Sequence, residues 1–260
     1  ANVGLVGEPG WTGCEGLWIV DNNLIRDSAK MVADYGGEGG EGEIEIGVEV
    51  GVEELVGGSG SGYEGEVYPP DQIFTGQVTS MARLFDARVC VDSEGCPMGY
   101  NVPDISYWEV SSVRDFNNMF GFASLNASLD NWNTGSAKDM SGMFSYAEFL
   151  KPNNLSGWNV SNVLYMDKMF SRSILDNVSI GRDWDVSNVV SMHYMFDSAE
   201  RTGSYYDFSR WNTSNVQNMG GMFRYSLGIV NSTIANWDVS SVVDMSEMFQ
   251  ATSVSSLSGI

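Results

Sequence analysis

The sequence has little positive charge. Its 260 residues include 13 Lys and Arg against 34 Asp and Glu, which gives a formal net charge of −21 at pH 7. Proteins that bind nucleic acids contact phosphates through clustered Lys and Arg, whereas the basic residues here are scattered singly. The composition therefore excludes a nucleic-acid partner.

Long apolar runs and histidines are also scarce. No stretch of about 18 or more apolar residues is present, so no membrane span is predicted. A Ser-His-Asp or Cys-His mechanism needs a histidine. The single one, His193, stands at a repeat position that other copies fill with Asn, Ser, Asp or Gly. We interpret it as a solvated side chain, and we predict that the protein is not an enzyme and has no catalytic residues.

Cysteine is rare. Cys90 and Cys96 bracket the sequence VDSEG, which predicts a small disulfide loop and leaves Cys14 over. The alternative is three idle thiols. Without two Cys-x-x-Cys pairs, a structural zinc site has no support.

What the sequence does contain is a repeat. Six tryptophans recur at intervals of 24, 26, 26, 27 and 26 residues, and each is followed eleven and twelve residues later by Met-Phe. A degenerate earlier copy, IFTGQVTSMARLF at 73–85, has Ile73 in place of Trp. Of the 14 methionines 12 are in register, and a motif used this often is a structural unit rather than a catalytic one. The predicted repeat core consists of Trp108, Trp132, Trp158, Trp184, Trp211, Trp237, Phe120, Phe144, Phe170, Phe196, Phe223 and Phe249.

Each unit predicts a strand followed by a short helix. In the Val-x-x-Met-x-x-Met-Phe run the apolar residues recur at i, i+3, i+6 and i+7, the spacing of one helix face. A serine just before the run, as at Ser161 and Ser187, is a typical helix N-cap. The apolar-x-x-Trp-x-Val stretch is too short for a helix and predicts a strand. The predicted fold class is an α/β repeat: a curved solenoid of about seven strand–turn–helix units of 24–27 residues, with a parallel β ladder on one face and short helices on the other.

The unit resembles the repeat of the BspA-like family. The pattern W-D-V-S-N-V-x-x-M-x-x-M-F matches over roughly 71–260, and the copies at 73–85 and 132–144 depart from it with Gly76 and Gly135 at the cap position. The family consists of leucine-rich-repeat-like domains of bacterial surface lipoproteins and of secreted or surface proteins of protists and algae. The resemblance implies an extracellular or cell-surface role in adhesion, scaffolding or host contact, and it carries over no catalytic residue.

The first 70 residues differ from the repeats in composition. Residues 36–66 contain twelve Gly and nine Glu. The alternation in EIEIGVEVGV predicts a strand at 43–52 with one apolar and one acidic face, and the alternative is an acidic linker. The GGSGSG stretch is typical of a flexible linker, which we place at 57–70, before a repeat domain at 71–260. We predict no cofactor and interpret the acidic face as solvated; Ca²⁺ is the alternative that such a face would suit, although no D-x-D-x-D-G loop is present.

Asparagine sequons are frequent. The Asn-x-Ser/Thr pattern marks candidate N-glycosylation sites. Two of the six sequons arise from the repeat consensus, and the other four lie between Met-Phe and the next tryptophan, so we expect glycans along that flank. The candidates are Asn126, Asn154, Asn159, Asn177, Asn212 and Asn231.

Two functions fit such a repeat. A recognition face carries varied aromatic or charged residues, whereas the residues two before each tryptophan, which we expect to face outward, are small or polar, as at Ser106, Ser156 and Ala235. We therefore predict an extracellular or cell-surface structural or adhesive protein that belongs to a larger assembly with protein subunits or surface glycans. The alternative is a recognition module for a protein or glycan. The final SSLSGI begins an eighth unit without completing it, which predicts polymerisation or a longer parent chain.

Overall fold

The structure is a computed structural model of the chain. It describes residues 18–19, 48–50, 66–68, 73–75, 78–86, 100–102, 104–201, 206–227 and 234–252. Cys14, Cys90, Cys96 and Asn231 lie outside these residues, as does most of the amino-terminal segment.

Regular secondary structure is sparse in the described part of the chain. It consists of nine strands of two or three residues and one turn of 3₁₀ helix, Leu155–Gly157. The strands are β1 (Trp18–Ile19), β2 (Val48–Val50), β3 (Glu66–Tyr68), β4 (Ile73–Phe74), β5 (Tyr100–Val102), β6 (Ala123–Leu125), β7 (Glu148–Phe149), β8 (Asn153–Asn154) and β9 (Val178–Ser179).

Most of these strands pair in parallel. The order β5-β6-β7 forms a three-stranded sheet, and β1-β4 and β8-β9 form two-stranded parallel pairs. The hairpin-like pair β2-β3 is antiparallel. β2 lies inside the stretch predicted as a strand at 43–52, and β3 lies inside the stretch that we assigned to a linker.

The repeats stack on one another in register. We call each repeat a coil and count positions from its tryptophan, so that position +8 is the eighth residue after it; the copy at Ile73 is counted in the same way. Single-residue parallel bridges join position +7 of every coil to position +7 of the next. They run through Ser80, Asp115, Asp139, Tyr165, Ser191, Asn218 and Asp244. A second row of bridges at position +16 runs through Glu148, Ile174, Glu200 and Leu227.

The predicted helices do not form, and the predicted strand–turn–helix fold class is wrong. In an α-helix every amide donates to the carbonyl four residues before it. In the coils, amides at positions +8, +10, +12 and +14 donate instead to the following coil. In one coil these bonds are Met166 N to Ser191 O (3.0 Å), Lys168 N to His193 O (2.8 Å), Phe170 N to Met195 O (2.9 Å) and Arg172 N to Asp197 O (2.7 Å). The amides at positions +11 and +13 close four-residue turns, as from Met169 N to Met166 O at 3.2 Å, and the described residues contain no α-helix.

The backbone dihedrals show the same departure from a helix. Positions +10 and +14 have positive φ in successive coils, as at Lys168 (57°) and Arg172 (59°). In two coils position +10 is a glycine, Gly142 or Gly221. A left-handed backbone costs a residue with a side chain about 1–2 kcal/mol, and the hydrogen bonds to the next coil offset that cost.

The residues around each tryptophan also have roles other than those predicted. The stretch before it is a turn rather than a strand, because the tryptophan amide donates to the carbonyl three residues back, as from Trp158 N to Leu155 O at 3.1 Å. The serine that recurs at position +3 was predicted to cap a helix, but no helix follows it. Its amide donates to the carboxylate or carboxamide at position +1, as from Ser187 N to Asp185 Oδ1 at 3.1 Å. This is an Asx-turn, which accepts either Asp or Asn.

The core consists of the residues that recur. The six tryptophans of the coils are at most 4% exposed, and the methionines of positions +8 and +11 are buried from Met140 to Met222. The position +12 phenylalanines form one continuous stack: Phe85, Phe120, Phe144, Phe170, Phe196, Phe223 and Phe249 have neighbouring ring centroids 5.5–6.0 Å apart and interplanar angles of 3–13°. Each such pair contributes about 0.5–1.5 kcal/mol beyond the area that it buries.

Side-chain hydrogen bonds reinforce the stack. The indole N–H of each tryptophan from Trp132 onward donates to a backbone carbonyl of the preceding coil, as from Trp158 Nε1 to Leu129 O at 3.0 Å. Asparagine at position +4 does the same, as from Asn188 Nδ2 to Ser161 O at 2.7 Å. Buried polar groups are costly unless paired, so these bonds let tryptophan occupy the core.

Substitution of Lys168 tests the left-handed turn. Lys168 is exposed and has φ of 57°. We expect Lys168→Gly to change the free energy of unfolding by less than about 1 kcal/mol, because glycine adopts this φ without strain while gaining freedom in the unfolded chain. We expect Lys168→Val to lower it by about 1–2 kcal/mol. Urea unfolding measures which of the two variants is more stable. In a helix the Val variant would be more stable than the Gly variant, so that result would contradict the turn.

Candidate functional site

The coil stack leaves few groups arranged for chemistry. Among the described residues, no group of three or more His, Cys, Asp or Glu could hold a metal ion. The His193 ring lies 4.0 Å from the Tyr194 ring, and its hydrogen bonds are made by its backbone. His193 and Asp244 both lie over Gly220, where an added Cβ would meet His193 Cδ2 at 3.0 Å. The Ser246 hydroxyl and amide lower the pKa of Asp244, and the charge of His193 adds to this effect.

The charged side chains that cluster do so between coils. Asp197 is almost fully buried and accepts from Arg224 Nε at 2.8 Å, and Arg224 also reaches Glu247 at 2.9 Å. The Arg224 guanidinium lies 4.5 Å above the Tyr194 ring. The hydrogen bonds that Arg224 donates to Asp197 and Glu247 raise the pKa of its guanidinium. All of these contacts join neighbouring coils, so we interpret the cluster as part of the stacking interface.

A buried tyrosine joins two neighbouring coils. The Tyr206 hydroxyl donates to Val178 O at 2.8 Å, and Arg201 Nη1 donates to the same carbonyl at 2.8 Å. Burial raises the pKa of Tyr206 to about 12, although the charge of Arg201 opposes this shift. The tyrosine therefore stays neutral near pH 7, and its hydroxyl serves the packing of one coil on the next.

The sequons in the described part of the chain are all on the surface. Asn126, Asn154, Asn159, Asn177 and Asn212 are exposed. Asn159 and Asn212 are the position +1 residues of Asx-turns, in which Oδ1 accepts from the serine amide at 3.1 and 3.2 Å. The turn engages Oδ1 and does not use Nδ2, the atom that carries an N-glycan.

One face of the stack exposes large apolar side chains. We call Tyr146, Leu150, Ile174, Tyr225 and Leu227 the apolar stripe; each is 41–53% exposed. Ile174 and Leu227 belong to the position +16 row, where they alternate with the exposed carboxylates Glu148 and Glu200. Position +15 is small and buried, as at Ala147 and Ser173, so positions +14 and +16 point outward together. Five of the eight exposed large apolar residues in the described part of the chain lie in this stripe.

Sequence reasoning missed the stripe because it examined the wrong positions. The residues before each tryptophan, expected to be an outward strand face, form turns. The rows that pair between coils are positions +7 and +16, and position +16 lies outside the repeated motif. Variation at positions +14 and +16 among otherwise similar copies was the available signal.

The geometry defines a tandem-repeat protein whose coils stack through backbone hydrogen bonds. Two overlapping stretches, 79–208 and 150–257, match the family described as Mycoplasma protein of unknown function, DUF285. The chain belongs to this family. Searches of curated proteins and of solved structures found no significant match. The described residues also include no helix with the length and apolarity that crossing a bilayer requires.

Glycan occupancy of the exposed sequons is directly measurable. We expect the intact mass of native material to fall after treatment with an N-glycosidase, because the five described sequon asparagines are exposed. Peptide mapping then shows which asparagines carried the glycan. An unchanged mass would contradict glycosylation of this chain.

Proposed function

We propose that the chain is a structural and adhesive repeat protein of the cell surface or extracellular space, of the BspA-like type, and a subunit of a larger assembly. The family membership and the motif W-D-V-S-N-V-x-x-M-x-x-M-F support the type. The role in adhesion rests on the resemblance and on the exposed stack of coils.

The single observation that carries this proposal is the use of the repeated residues. The buried phenylalanines stack on their equivalents in neighbouring coils, and the tryptophans and methionines fill the same core. The polar motif residues close turns or bond to the adjacent coil. The residues that the sequence repeats are thus occupied with packing. A repeat protein whose recurrent residues serve packing between repeats is suited to be an extended scaffold.

The last described coil supports assembly. In the coil 237–252, Val239, Val242, Met245 and Phe249 are only partly buried, whereas the equivalent residues of the preceding coils are covered. Its amides at positions +8, +10 and +12 are of the type that donates to a following coil. We propose that a further coil covers this face, and that a second copy of the chain supplies it when the purified protein is concentrated.

Light scattering at micromolar concentration tests the assembly. We expect wild-type particles larger than one chain, and we expect the double variant Val239→Lys, Met245→Lys to shift them toward the monomer, because charges on an open repeat face prevent stacking. Val243→Lys is the matched control, because Val243 is 87% exposed in the same coil. A wild-type chain that stays monomeric would refute this part of the proposal.

A second candidate function is recognition of a protein on the apolar stripe. Large apolar side chains exposed together on one face mark interaction sites more often than singly exposed ones do. The stripe alternates Ile174 and Leu227 with Glu148 and Glu200, and no ion pair engages either carboxylate in the described part of the chain. The surface therefore suits a partner with apolar side chains flanked by Lys or Arg.

A pair of model peptides separates this function from simple scaffolding. We expect a fluorescent peptide of alternating Leu and Lys to bind the protein more tightly than one of alternating Leu and Glu. Binding should weaken about thirtyfold in the double variant Ile174→Ser, Leu227→Ser, since each of the two exposed apolar side chains contributes about 1 kcal/mol when covered. Val243→Ser controls for loss of an exposed apolar residue elsewhere. Equal binding by both double and control variants would rule the stripe out.

A further inference from the structure

Position +6 is neutral in most coils and cationic in two that adjoin. The row consists of Thr79, Arg114, Lys138, Leu164, Val190, Gln217 and Val243. Lys138 N donates to Arg114 O at 2.7 Å, so the two cationic residues are register neighbours in successive coils. Like charges placed side by side across a ladder are destabilising. A pair that departs from the repeat and carries this cost is a candidate for a function that the other coils lack.

The two cations are not neutralised by the protein. In a chain with 34 acidic residues, most described arginines find a carboxylate: Arg83, Arg172, Arg182, Arg210 and Arg224 each pair with an aspartate. The Arg114 side chain has no ion pair or hydrogen bond among the described residues. Within the described part of the chain, the hydrogen bond of Lys138 Nζ is to a neutral acceptor, Asn162 Oδ1, at 3.3 Å. Positive charge is therefore available here although the chain as a whole is strongly negative.

A shallow cavity of about 420 Å³ lies beside these side chains. Its lining is Arg114, Gly135, Ser136, Lys138 and Asn162, with no carboxylate and no aromatic ring. Gly135 replaces the serine that stands at position +3 in the other five tryptophan coils. Asn162 Nδ2 donates to Gly135 O at 2.8 Å, which fixes the carboxamide so that its oxygen faces Lys138.

We propose that this cavity binds a compact oxyanion: a sulfate, phosphate or carboxylate group. The Arg114 guanidinium presents paired N–H donors that match two oxygens of such a group, and the Lys138 ammonium supplies a second charge. The Ser136 hydroxyl has no hydrogen-bond partner among the described residues and supplies a neutral donor. The bound anion relieves the repulsion between the two cations.

The surroundings limit the ligand to a single anionic group. The net charge of −21 repels a polyanion, so a nucleic acid or densely sulfated polymer is disfavoured. The absence of aromatic rings from the lining removes stacking with a nucleobase. A free inorganic anion, or one acidic group borne on a sugar or side chain, remains. This inference does not depend on the proposed scaffolding or recognition function.

Titration of the full chain with sodium sulfate, sodium phosphate and sodium acetate, at constant ionic strength, tests the site. Heteronuclear NMR follows the amides of Gly135 and Ser136 and the Nε–H of Arg114. We expect saturable shifts confined to this cavity. Arg114→Gln and Lys138→Gln should each weaken binding about tenfold or more, because a hydrogen bond to a charged group is among the stronger ones. Lys151→Gln removes an exposed lysine outside the cavity and should leave binding unchanged.

The outcomes are separable. Saturation by sulfate and phosphate but not acetate assigns the site to tetrahedral oxyanions. Saturation by all three anions shows that the site also binds carboxylates. Shifts spread over all Lys and Arg, or an equal loss in Lys151→Gln, would show general charge screening and overturn the proposal. A thermal midpoint that does not fall in either variant shows that weakened binding reflects the lost cation rather than unfolding.

Discussion

The alternate amides of positions +8 to +14 set the architecture of this chain. By donating to the following coil they hold every coil at the spacing of a parallel ladder, about 4.8 Å in its backbone. The phenylalanine stack, the indole hydrogen bonds and the two rows of bridges all require that spacing. If a coil formed a helix, the same amides would donate to carbonyls within that coil. The carbonyls of the following coil would then lose their hydrogen-bond donors.

The sequence predicts which residues belong to the core more reliably than it predicts their backbone. Val, Met, Met and Phe at i, i+3, i+6 and i+7 fit one side of a helix, but overlapping four-residue turns that contain left-handed residues bring the same four side chains inward. Glycine at position +10 in two coils was the visible signal of positive φ, and Lys168 and Tyr194 at that position concealed it. Neither the inter-coil bonds nor the +16 row can be read from one repeat alone, because both exist only between copies.

The surface shows where the copies cease to be equivalent. Stacking fixes what each core position contains, whereas outward positions differ from coil to coil without disturbing the ladder. The apolar stripe and the Arg114–Lys138 cavity are two such differences, one apolar and acidic, the other cationic. Sequence reasoning found the exposed sequons because their motif is local, but it missed both surfaces because their residues are some 24–27 positions apart.

The alternation of inward-turning and coil-bridging amides makes the chain intolerant of small changes in repeat length between positions +7 and +14. Insertion of one residue there would exchange the amides that donate within a coil with those that donate to the next coil. The amides that now bridge the coils would then turn toward the phenylalanine stack. Gain or loss of an entire coil keeps this alternation of amides, and the two ends of the stack still present the same kinds of surface. Members of this architecture can therefore diversify in length by whole modules, through duplication or recombination, while each module keeps its internal count.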